Sequence, residues 1–382
     1  MIMEKKIVIA THYMVYGVSS ALRDYLINKK VERILHLGLP LSFNKDYSYD
    51  LYQKGKLVKK YKFTKKLSLG PFDYFFEFIV IILQVFLRNE KQDIFIGFDP
   101  LNSYAGLFLK KIGRVRRVIL FTMDFTPKRF NNSLINFLYH YIEKVSVYNV
   151  DEVWDVSPRM AKGREKFLKI SQNAYKRKIV QVGMWHDKIK IRKFSEIKKH
   201  QLLFLGTLFE KQGVQLVLEA MPDIIKQIPD FKFLILGGGE YENELKKIAK
   251  NPNLNKHVEF RGWISDRKLL DEIIGESACA AACYKPEKEK LYNFSYYADP
   301  GKIKDYISAG LPIILTDVPY NAKDIDKKRC GILVKYNKED IANAVVRLMK
   351  NEKILEEYRN NVLDYSKELN WNLIFDKAFE DL

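Results

Sequence analysis

The chain of 382 residues carries a formal net charge of +18, with 47 % hydrophobic and 29 % charged residues. This composition excludes a disordered or fibrous protein, and the length suits two domains of roughly 150–200 residues. Residues 1–200 hold 38 Lys and Arg against 18 Asp and Glu, a balance of +20, whereas residues 201–382 hold 27 against 29. The asymmetry indicates either a lysine-rich solvated face or an anionic partner for the first half: nucleic acid, a membrane surface or a phosphorylated substrate.

Short apolar runs alternate with helical patterns through the whole chain. In the first half, strands are predicted at residues 6–11, 33–37, 93–98, 117–122, 152–156 and 179–183. In the second half, they are predicted at residues 201–205, 232–236, 257–260, 278–283, 312–315 and 331–334. Continuous apolar runs are typical of parallel strands that are buried on both faces. The chain is therefore predicted to be α/β, with two Rossmann-like doubly wound domains.

The stretch 71–88, PFDYFFEFIVIILQVFLR, predicts a helix of unusual composition. Its polar residues share one narrow stripe, because spacings of 4, 7 and 4 separate Asp73, Glu77, Gln84 and Arg88. The longest uninterrupted apolar run covers residues 78–83, far short of a bilayer span. The pattern favours a buried packing helix. The alternative is contact with a membrane interface, helped by the lysines of residues 54–66.

The predicted domains are residues 1–190 and residues 200–365. The stretch 184–200 between them is polar, basic and without apolar periodicity. The last helix, within residues 366–382, follows a complete second set of strands, so it is expected to pack back on the first domain. The three cysteines are too few for a disulfide framework, and residues 1–10 lack a signal-peptide cleavage site, which indicates a reducing compartment.

Glycine-bearing turns follow several predicted strands of the second half. They contain Gly206, the run from Gly237 to Gly239, Gly262, and Gly301 at a helix start. Turns after the carboxyl ends of parallel strands share one edge of the sheet, where ligands bind. Glycine at these positions lets the backbone approach a ligand closely.

The stretch 296–312, YYADPGKIKDYISAGLP, has the chemistry of a phosphate site. Pro300 and Gly301 shape the start of a helix, whose free amides and dipole favour an anion. Lys302 adds a positive charge, and Asp305 follows three residues later on nearly the same face, where it can accept ribose hydroxyls. Together these residues predict a nucleoside-diphosphate site; the alternative is an ordinary helix with a Lys–Asp pair.

These segments resemble, in order, the C-terminal domain of the retaining, family-4-type (group 1) glycosyltransferases of GT-B fold. The matching pieces are LGTLFEKQGVQLVLEAM, FKFLILGGGEYENEL, VEFRGWISDRKLLDEI and DPGKIKDYISAGLPIILTDVP. The first half matches more loosely, through IVIATHYMVYGVSSALRDYL, DIFIGFDPLNSYAGL and DEVWDVSPRM. The resemblance implies two domains facing a cleft and the transfer of a sugar, with retention, from a nucleotide-diphosphate donor. It implies no metal and no other cofactor.

The resemblance also implies the residues of the donor site. They are Gly206, Thr207, Gly237, Trp263, Ile264, Pro300, Gly301, Lys302, Ile303 and Asp305, and catalysis is expected to involve Lys302, Asp299 and Lys211. Asp305 stands where the family has its second Glu and is expected to bind the ribose. The turn that contains Trp263 is expected to hold the nucleobase.

Some positions depart from the family pattern. The first Glu of the family corresponds to Tyr297, so Asp299 is expected to contact the donor sugar instead. Thr207 replaces an Arg, and Gln212 stands where the family has its phosphate-binding Lys. The diphosphate is therefore expected to rest mainly on Lys302 and on helix amides.

The acceptor is expected to bind to the first domain, beside the ends of its strands. The candidates are Tyr16 and Gly17 in the glycine loop of the family, Asp99, Asp124, and Lys128 with Arg129, which are expected to hold an acceptor phosphate. The cysteines at 279 and 283 lie in an apolar strand and are predicted to be core thiols rather than metal ligands.

The expected partners are a nucleotide-diphosphate sugar, a phosphorylated or lipid-linked acceptor, and an anionic membrane surface at the cytoplasmic side of the membrane. Because several family residues are replaced, a non-catalytic protein that binds a glycan or an anionic surface is the alternative function. Nucleic acid is not expected as a partner, since the sequence contains no RNA-binding motif and no repeated aromatic–basic pattern.

Overall fold

The computed structural model describes residues 2–12, 17–40, 46–64, 72–185, 191–286 and 294–382. The chain forms two compact units. One consists of Met1–Gln181 and Trp371–Leu382, and the other consists of Val182–Asn370. Each unit is built on its own sheet, and parallel strands dominate both sheets.

Among the described residues, the first unit contains a sheet of eight strands in the order β4-β3-β2-β1-β5-β6-β7-β8. The strands are β1 (Lys6–His12), β2 (Arg33–Leu39), β3 (Asp46–Gln53), β4 (Lys56–Thr64), β5 (Gln92–Gly97), β6 (Val115–Thr122), β7 (Glu152–Asp155) and β8 (Arg177–Ile179). The central strand β1 pairs in parallel with β2 and β5, and its residues 7–10 are fully buried. Burial on both faces explains why this strand is a continuous apolar run.

The hairpin of β3 and β4 was not among the predicted strands. Its two strands are antiparallel, and the turn between them contains Lys54 and Gly55, both at positive φ. Within the stretch KLVKKYKFT of β4, only residues 60–63 alternate lysine with an aromatic residue, which is the period-two pattern of a strand. The basic composition of residues 54–66 masked this pattern. β4 forms the edge of the sheet, where lysines discourage pairing with other chains.

Helices of the first unit cover both faces of its sheet. They are α1 (Val18–Asn28), α2 (Phe72–Phe86), α3 (Pro100–Lys111), α4 (Ser133–Asn149), α5 (Pro158–Leu168) and, from the end of the chain, α14 (Trp371–Phe379). α3 contacts both α2 and α4, and α1 contacts α14. Tyr25 of α1 donates a 2.7 Å hydrogen bond to Asp376 of α14, and Phe379 packs its ring against Trp154 of β7.

The second unit has a sheet of six strands, counted over the described residues, in the order β11-β10-β9-β12-β13-β14. The strands are β9 (Lys198–Leu205), β10 (Lys232–Leu236), β11 (Val258–Gly262), β12 (Ser277–Ala282), β13 (Ile313–Thr316) and β14 (Gly331–Val334), and all pair in parallel. The helices are α6 (Val214–Gln227), α7 (Glu242–Ala249), α8 (Arg267–Gly275), α9 (Phe294–Tyr297), α10 (Gly301–Ser308), α11 (Ala322–Lys327), α12 (Lys338–Met349) and α13 (Glu352–Glu368).

The predicted strands coincide with observed ones, except near the end of the first unit. Residues 179–183 were predicted as a strand, but the observed strand β8 ends at Ile179. Val182 cannot continue the ladder, because its amide donates a 2.8 Å hydrogen bond to the carboxylate of Asp299. Cys279, Cys283 and Cys330 are free and buried thiols.

Helix α2 has the apolar character that its sequence predicts. Glu77, Ile81 and Val85 are buried on its inner face, whereas Phe75 and Leu83 are exposed on the outer face. Within the described parts of the chain, no helix is long and apolar enough to cross a membrane. The prediction of a buried packing helix therefore accounts for only one of its two faces.

Candidate functional site

Three glycine turns meet at the carboxyl edge of the second sheet. Gly206 follows β9, Gly237 follows β10 and Gly262 ends β11. The amide of Gly237 donates a 2.7 Å hydrogen bond to the carbonyl of Gly262. Gly237 has φ +127°, and a Cβ on it would lie 2.0 Å from the carbonyl oxygen of Gly206. Only glycine fits this close approach, so the turns form one backbone surface along the edge.

Lys302 brings a positive charge to this surface. Its Nζ lies 3.6 Å from where a Cβ on Gly206 would stand, and it donates a 2.5 Å hydrogen bond to Oε1 of Gln212. The ammonium also lies over the rings of Phe204 and Tyr284, 4.3 and 4.6 Å from their centroids. These contacts favour the charged amine. Burial nevertheless lowers the pKa of Lys302 to about 7, because the loss of water outweighs the opposing effect of Cys283.

The first turn of α10 presents backbone amides beside Lys302. Pro300 precedes the helix, and Gly301 begins it with open space where a side chain would stand. The first amides of a helix lack intrahelical acceptors, and its dipole favours an anion at this end. The side chain of Ile303 is fully buried in the core, so this predicted residue has only its backbone to offer a ligand.

Asp305 lies one turn further along α10 and is held by an arginine that the sequence did not single out. Nη2 of Arg267 lies 2.8 Å from Oδ1 of Asp305 and 2.8 Å from Oδ1 of Asp271. Burial raises the pKa of Asp305, and the Arg267 guanidinium opposes that rise. The pair fixes one carboxylate oxygen of Asp305, so its orientation is set before any ligand arrives.

Trp263 and Ile264 follow β11 at the same edge. The indole of Trp263 is 71 % exposed, whereas Ile264 packs against the core beneath the sheet. Gly262 before them has φ +65°, a turn that favours glycine. An exposed indole beside a backbone turn is a surface on which a flat aromatic group can stack.

Asp299, Thr207 and Lys211 complete the predicted donor and catalytic residues. The carboxylate of Asp299 is fully buried; its Oδ2 accepts the amide of Val182 and lies 3.1 Å from Nζ of Lys304. It therefore anchors the backbone at Val182. Thr207 is exposed in the turn after β9. Nζ of Lys211 lies 5.4 Å from the ring centroid of Phe209.

In the first unit, a second polar cluster lies at the carboxyl ends of β1 and β5. Nδ1 of His12 lies 2.6 Å from Oδ2 of Asp99, and Nε2 lies 3.0 Å from Oε2 of Glu77. Asp99 also accepts hydrogen bonds from the amide and side chain of Asn102. Only Asp99 of this cluster was predicted as a site residue. The polar stripe of the 71–88 helix was the one signal that could have revealed Glu77.

The structure brings together Asp124 and Arg129, which form an ion pair after β6. With Tyr139 they line a small cavity of about 10 Å³, close to the space that one water molecule needs. Because Asp124 already balances the charge of Arg129, this pair offers a phosphate little attraction. Lys128 is exposed nearby in the sequence, and Gly17 is the exposed N-cap of α1.

The predicted acceptor residue Tyr16 lies outside the described residues. In the described part of the chain, no group of three His, Cys, Asp or Glu side chains is arranged to hold a metal ion.

Both units together have the fold of GT-B glycosyltransferases. HepE of Anabaena, solved in complex with UDP-glucose, superposes with a TM-score of 0.70 at 13 % identity, over 99 % of this chain and 100 % of that one. The predicted fold class, α/β with two Rossmann-like doubly wound domains, is confirmed.

Residues 199–351 match the profile of the family described as Glycosyl transferases group 1. A glycosyltransferase of Methanocaldococcus jannaschii is 29 % identical over 196 residues, which are 48 % of this chain and 46 % of that protein. Alpha-monoglucosyldiacylglycerol synthase of Streptococcus pneumoniae is 26 % identical over 149 residues, 39 % of this chain and 31 % of that protein. The chain thus spans half or less of these relatives. Its second unit carries a group 1 glycosyltransferase domain, as the sequence resemblance predicted.

Proposed function

We propose that this protein is a glycosyltransferase that moves a sugar from a nucleotide-diphosphate donor to a hydroxyl group of a lipid-linked or polysaccharide acceptor, with retention. The observation that carries the proposal is the placement of Lys302. Its ammonium lies beside Gly206 and the first turn of α10, at the carboxyl edge of a group 1 domain. A diphosphate suits this place, because glycine backbone, helix amides and a cation lie close together there.

In the proposed reaction, the second unit stabilises the diphosphate as it leaves with negative charge. Lys302 and the amides at the start of α10 supply this stabilisation, which a preorganised site delivers without a metal. Asp305, oriented by Arg267, receives the ribose hydroxyls, and Trp263 stacks on the base. Gln212 takes the place of a second cation and holds the Lys302 amine in position.

Retention is the expected stereochemical outcome. The pneumococcal relative is named as an alpha synthase, and HepE was solved with UDP-glucose, whose sugar is α-linked. An α-linked product from an α-linked donor means that the configuration at the anomeric carbon is kept. Proton NMR of the anomeric signal in the first product formed will distinguish retention from inversion.

Donor binding is the direct test of the proposal. Isothermal titration calorimetry with UDP-glucose and GDP-mannose should show saturable binding of at least one of them, weakened at least tenfold in Lys302→Met. The matched control is Lys247→Met, because Lys247 is an exposed lysine of α7 whose ammonium pairs with Glu244. If neither nucleotide sugar binds at millimolar concentration, the function proposed here is wrong.

A lipid-linked acceptor is supported by the outer surface of α2, α3 and α4, which we term the apolar helix face. Its exposed large side chains are Phe75, Phe76, Ile79, Leu83, Phe86, Tyr104, Phe108, Leu134, Phe137, Leu138, Tyr141 and Tyr148. Ring contacts of Phe78 with Tyr104 and Phe108 join α2 to α3. Apolar patches of this extent are uncommon on proteins that contact only water.

The charges around the apolar helix face suit an anionic bilayer. The acidic residues of α2–α4 are Asp73, Glu77 and Glu143; the last two are buried, and Asp73 is half-buried. Lysines 110, 111 and 144 lie on α3 and α4, and the exposed strand β4 adds more. The pneumococcal relative is named for a diacylglycerol acceptor, which also belongs to a membrane. We therefore place the protein at the cytoplasmic face of the membrane, bound peripherally.

Vesicle co-sedimentation tests this placement. The wild-type chain should bind phosphatidylcholine vesicles containing phosphatidylglycerol, and Phe75→Glu with Phe137→Glu should weaken binding at least tenfold, since each buried Phe side chain contributes about 1.5–3 kcal/mol. Leu373→Glu is the control, because Leu373 is similarly exposed but lies on α14. Equal sedimentation of all three proteins would remove the support for a lipid-linked acceptor.

The alternative is a non-catalytic protein of the same fold that binds a glycan or an anionic surface. The burial of the Asp299 carboxylate favours it, because no described carboxylate then replaces the first Glu of the family at the donor sugar. Slow hydrolysis of a bound nucleotide sugar, lost in Lys302→Met, would establish catalysis. Tight nucleotide binding without hydrolysis or transfer would establish the alternative.

A further inference from the structure

The cluster around His12 in the first unit has no assigned role. His12 ends β1, and its ring lies between a carboxylate from α2 and a carboxylate at the start of α3. Its side chain is 13 % exposed, and that of Asp99 is 21 % exposed. The two side chains are therefore near the surface and only partly accessible to solvent.

His12 holds this cluster as a cation. Both of its ring nitrogens lie within hydrogen-bond distance of a carboxylate, and the imidazolium form, which has two N–H donors, can donate to both at once. Burial lowers the pKa of His12, but Asp99 and Glu77 raise it to about 10 overall. A histidine with both nitrogens occupied is not a general base; it fixes the two carboxylates in place.

Asp99 is held with unusual firmness for a surface carboxylate. Oδ1 accepts the Asn102 amide at 2.8 Å, and Oδ2 accepts the Asn102 side chain at 2.7 Å in addition to His12. Its backbone has φ +154° and ψ +169°, a region that residues other than glycine rarely adopt. Each carboxylate oxygen offers about two lone pairs, so Oδ1 retains capacity for one further hydrogen.

The cavity beside Asp124 lies next to this cluster. We term the carboxyl ends of β1, β5 and β6, with His12, Asp99 and Asp124, the polar edge. Pro100, which follows Asp99 directly, lines the cavity together with Arg129 and Tyr139. Burial raises the pKa of Tyr139 well above its ordinary value; Arg129 opposes this rise, and the charges of Glu143, Asp99 and Asp124 add to it. Nε of Arg129 is buried and has no hydrogen-bond acceptor among the described residues. The cavity thus offers both donors and acceptors of hydrogen bonds.

The charge of this edge selects against a phosphate. The carboxylates of Glu77, Asp99 and Asp124 outnumber the cations His12 and Arg129, and each cation is already paired. A phosphate would meet net repulsion and would have to displace an existing ion pair. A hydroxyl group, which can donate to a carboxylate and accept from Arg129, matches both kinds of partner.

We propose that the carboxyl edge of β1, β5 and β6 binds the hydroxyl groups of an uncharged sugar or polyol, which is the reactive part of the acceptor. Asp99 accepts a hydrogen bond from a hydroxyl, and His12 is the positioning residue that keeps the Asp99 carboxylate oriented. The proposal rests on the glycosyltransferase function. It differs from the sequence-based expectation that Lys128 and Arg129 hold an acceptor phosphate.

Saturation-transfer NMR with matched probes tests the proposal. The probes are glucose and myo-inositol on one arm, and glucose 6-phosphate and myo-inositol 1-phosphate on the other. At equal concentration, the neutral probes should give the larger saturable signal with the wild-type chain, and Asp99→Asn should reduce that signal at least fivefold. Asp381→Asn is the control, because Asp381 is an exposed carboxylate of the same unit. Stronger signals from the phosphorylated probes would overturn the proposal.

A second measurement separates positioning from simple structural support. The ring proton of His12 in the wild type should show no titration between pH 5 and 8.5, and Asp99→Asn should bring the midpoint down into that range. A wild-type midpoint near the ordinary histidine value of about 6.5 would refute the role of His12.

Calorimetry with UDP-glucose on the same variants distinguishes a failure of the glycosyltransferase function from a failure of the hydroxyl-binding site. Neutral-probe binding without donor binding contradicts the enzyme function alone, and donor binding without neutral-probe binding contradicts this site alone.

Discussion

On the proposed function, binding of the nucleotide sugar should weaken as the pH rises above 7, because the proposed diphosphate site includes the amine of Lys302, whose pKa burial lowers to about 7. Below that pH Lys302 is already protonated, so the affinity should be flat. Above that pH, Lys302 must take up one proton when the ligand binds. The dissociation constant should therefore rise about tenfold per pH unit until the pKa of Lys302 in the bound state is reached. From pH 7 to pH 8.5 the expected loss of affinity is therefore about twentyfold.

Calorimetry with UDP-glucose between pH 6 and pH 8.5 measures this slope, since the diphosphate of the sugar nucleotide does not titrate in that range. At pH 8, titrations in two buffers of different ionisation enthalpy should report uptake of about 0.9 proton per ligand bound, the neutral fraction of an amine with a pKa of 7. Lys302→Arg, which stays charged throughout, should bind without proton uptake. A flat wild-type profile with no proton uptake would show that Lys302 is charged in the free protein and would refute the reasoning.

Three further predictions concern single side chains. Gly213→Ala should destabilise the second unit by more than about 2 kcal/mol in urea unfolding, because Gly213 has φ +75° and a Cβ would lie 1.8 Å from the Cys283 carbonyl oxygen. Gly301→Ala is the control and should leave stability nearly unchanged, because a Cβ on Gly301 would extend into open space. Arg164→Met should cost the first unit about 3–5 kcal/mol by leaving two buried carboxylates without their cation. Trp263→Ala should weaken UDP binding at least fivefold in calorimetry, while its thermal unfolding midpoint stays unchanged since the indole is 71 % exposed. If Gly213→Ala or Arg164→Met unfolds like the wild type, the close approach to Cys283 or the buried ion pairs of Arg164 are contradicted. If Trp263→Ala binds UDP as tightly as the wild type, stacking of the base on the indole is contradicted.

The parallel strands were predictable because both of their faces are buried. A strand such as residues 232–236 is apolar at nearly every position, and the observed bounds of β10 are the same. The hairpin of β3 and β4 was missed for the opposite reason. β4 is exposed along its length, so its sequence is dominated by lysines that serve solubility and edge protection rather than packing.

The carboxyl edge of the second sheet was partly predictable, because glycines after strands and a helix start with free amides are local signals. Gly206 lies close to both Gly237 and Lys302. Arg267 was not predictable, since its contact with Asp305 joins residues 38 positions apart in different helices. The burial of Asp299 was hidden for the same reason: its partner Val182 lies 117 positions earlier in the chain.

The positions of these side chains in the first unit show where the positive charge of the first half does not lie. Residues 1–200 carry a balance of +20, yet the polar edge beside His12 and Asp99 contains more carboxylates than cations. The basic excess must therefore lie elsewhere, and the exposed strand β4 and the ends of α3 and α4 hold part of it. On the proposed function, lysines attract the membrane surface while carboxylates receive the hydroxyl groups of the acceptor. Salt should consequently weaken vesicle binding steeply and leave the binding of a neutral sugar almost unchanged.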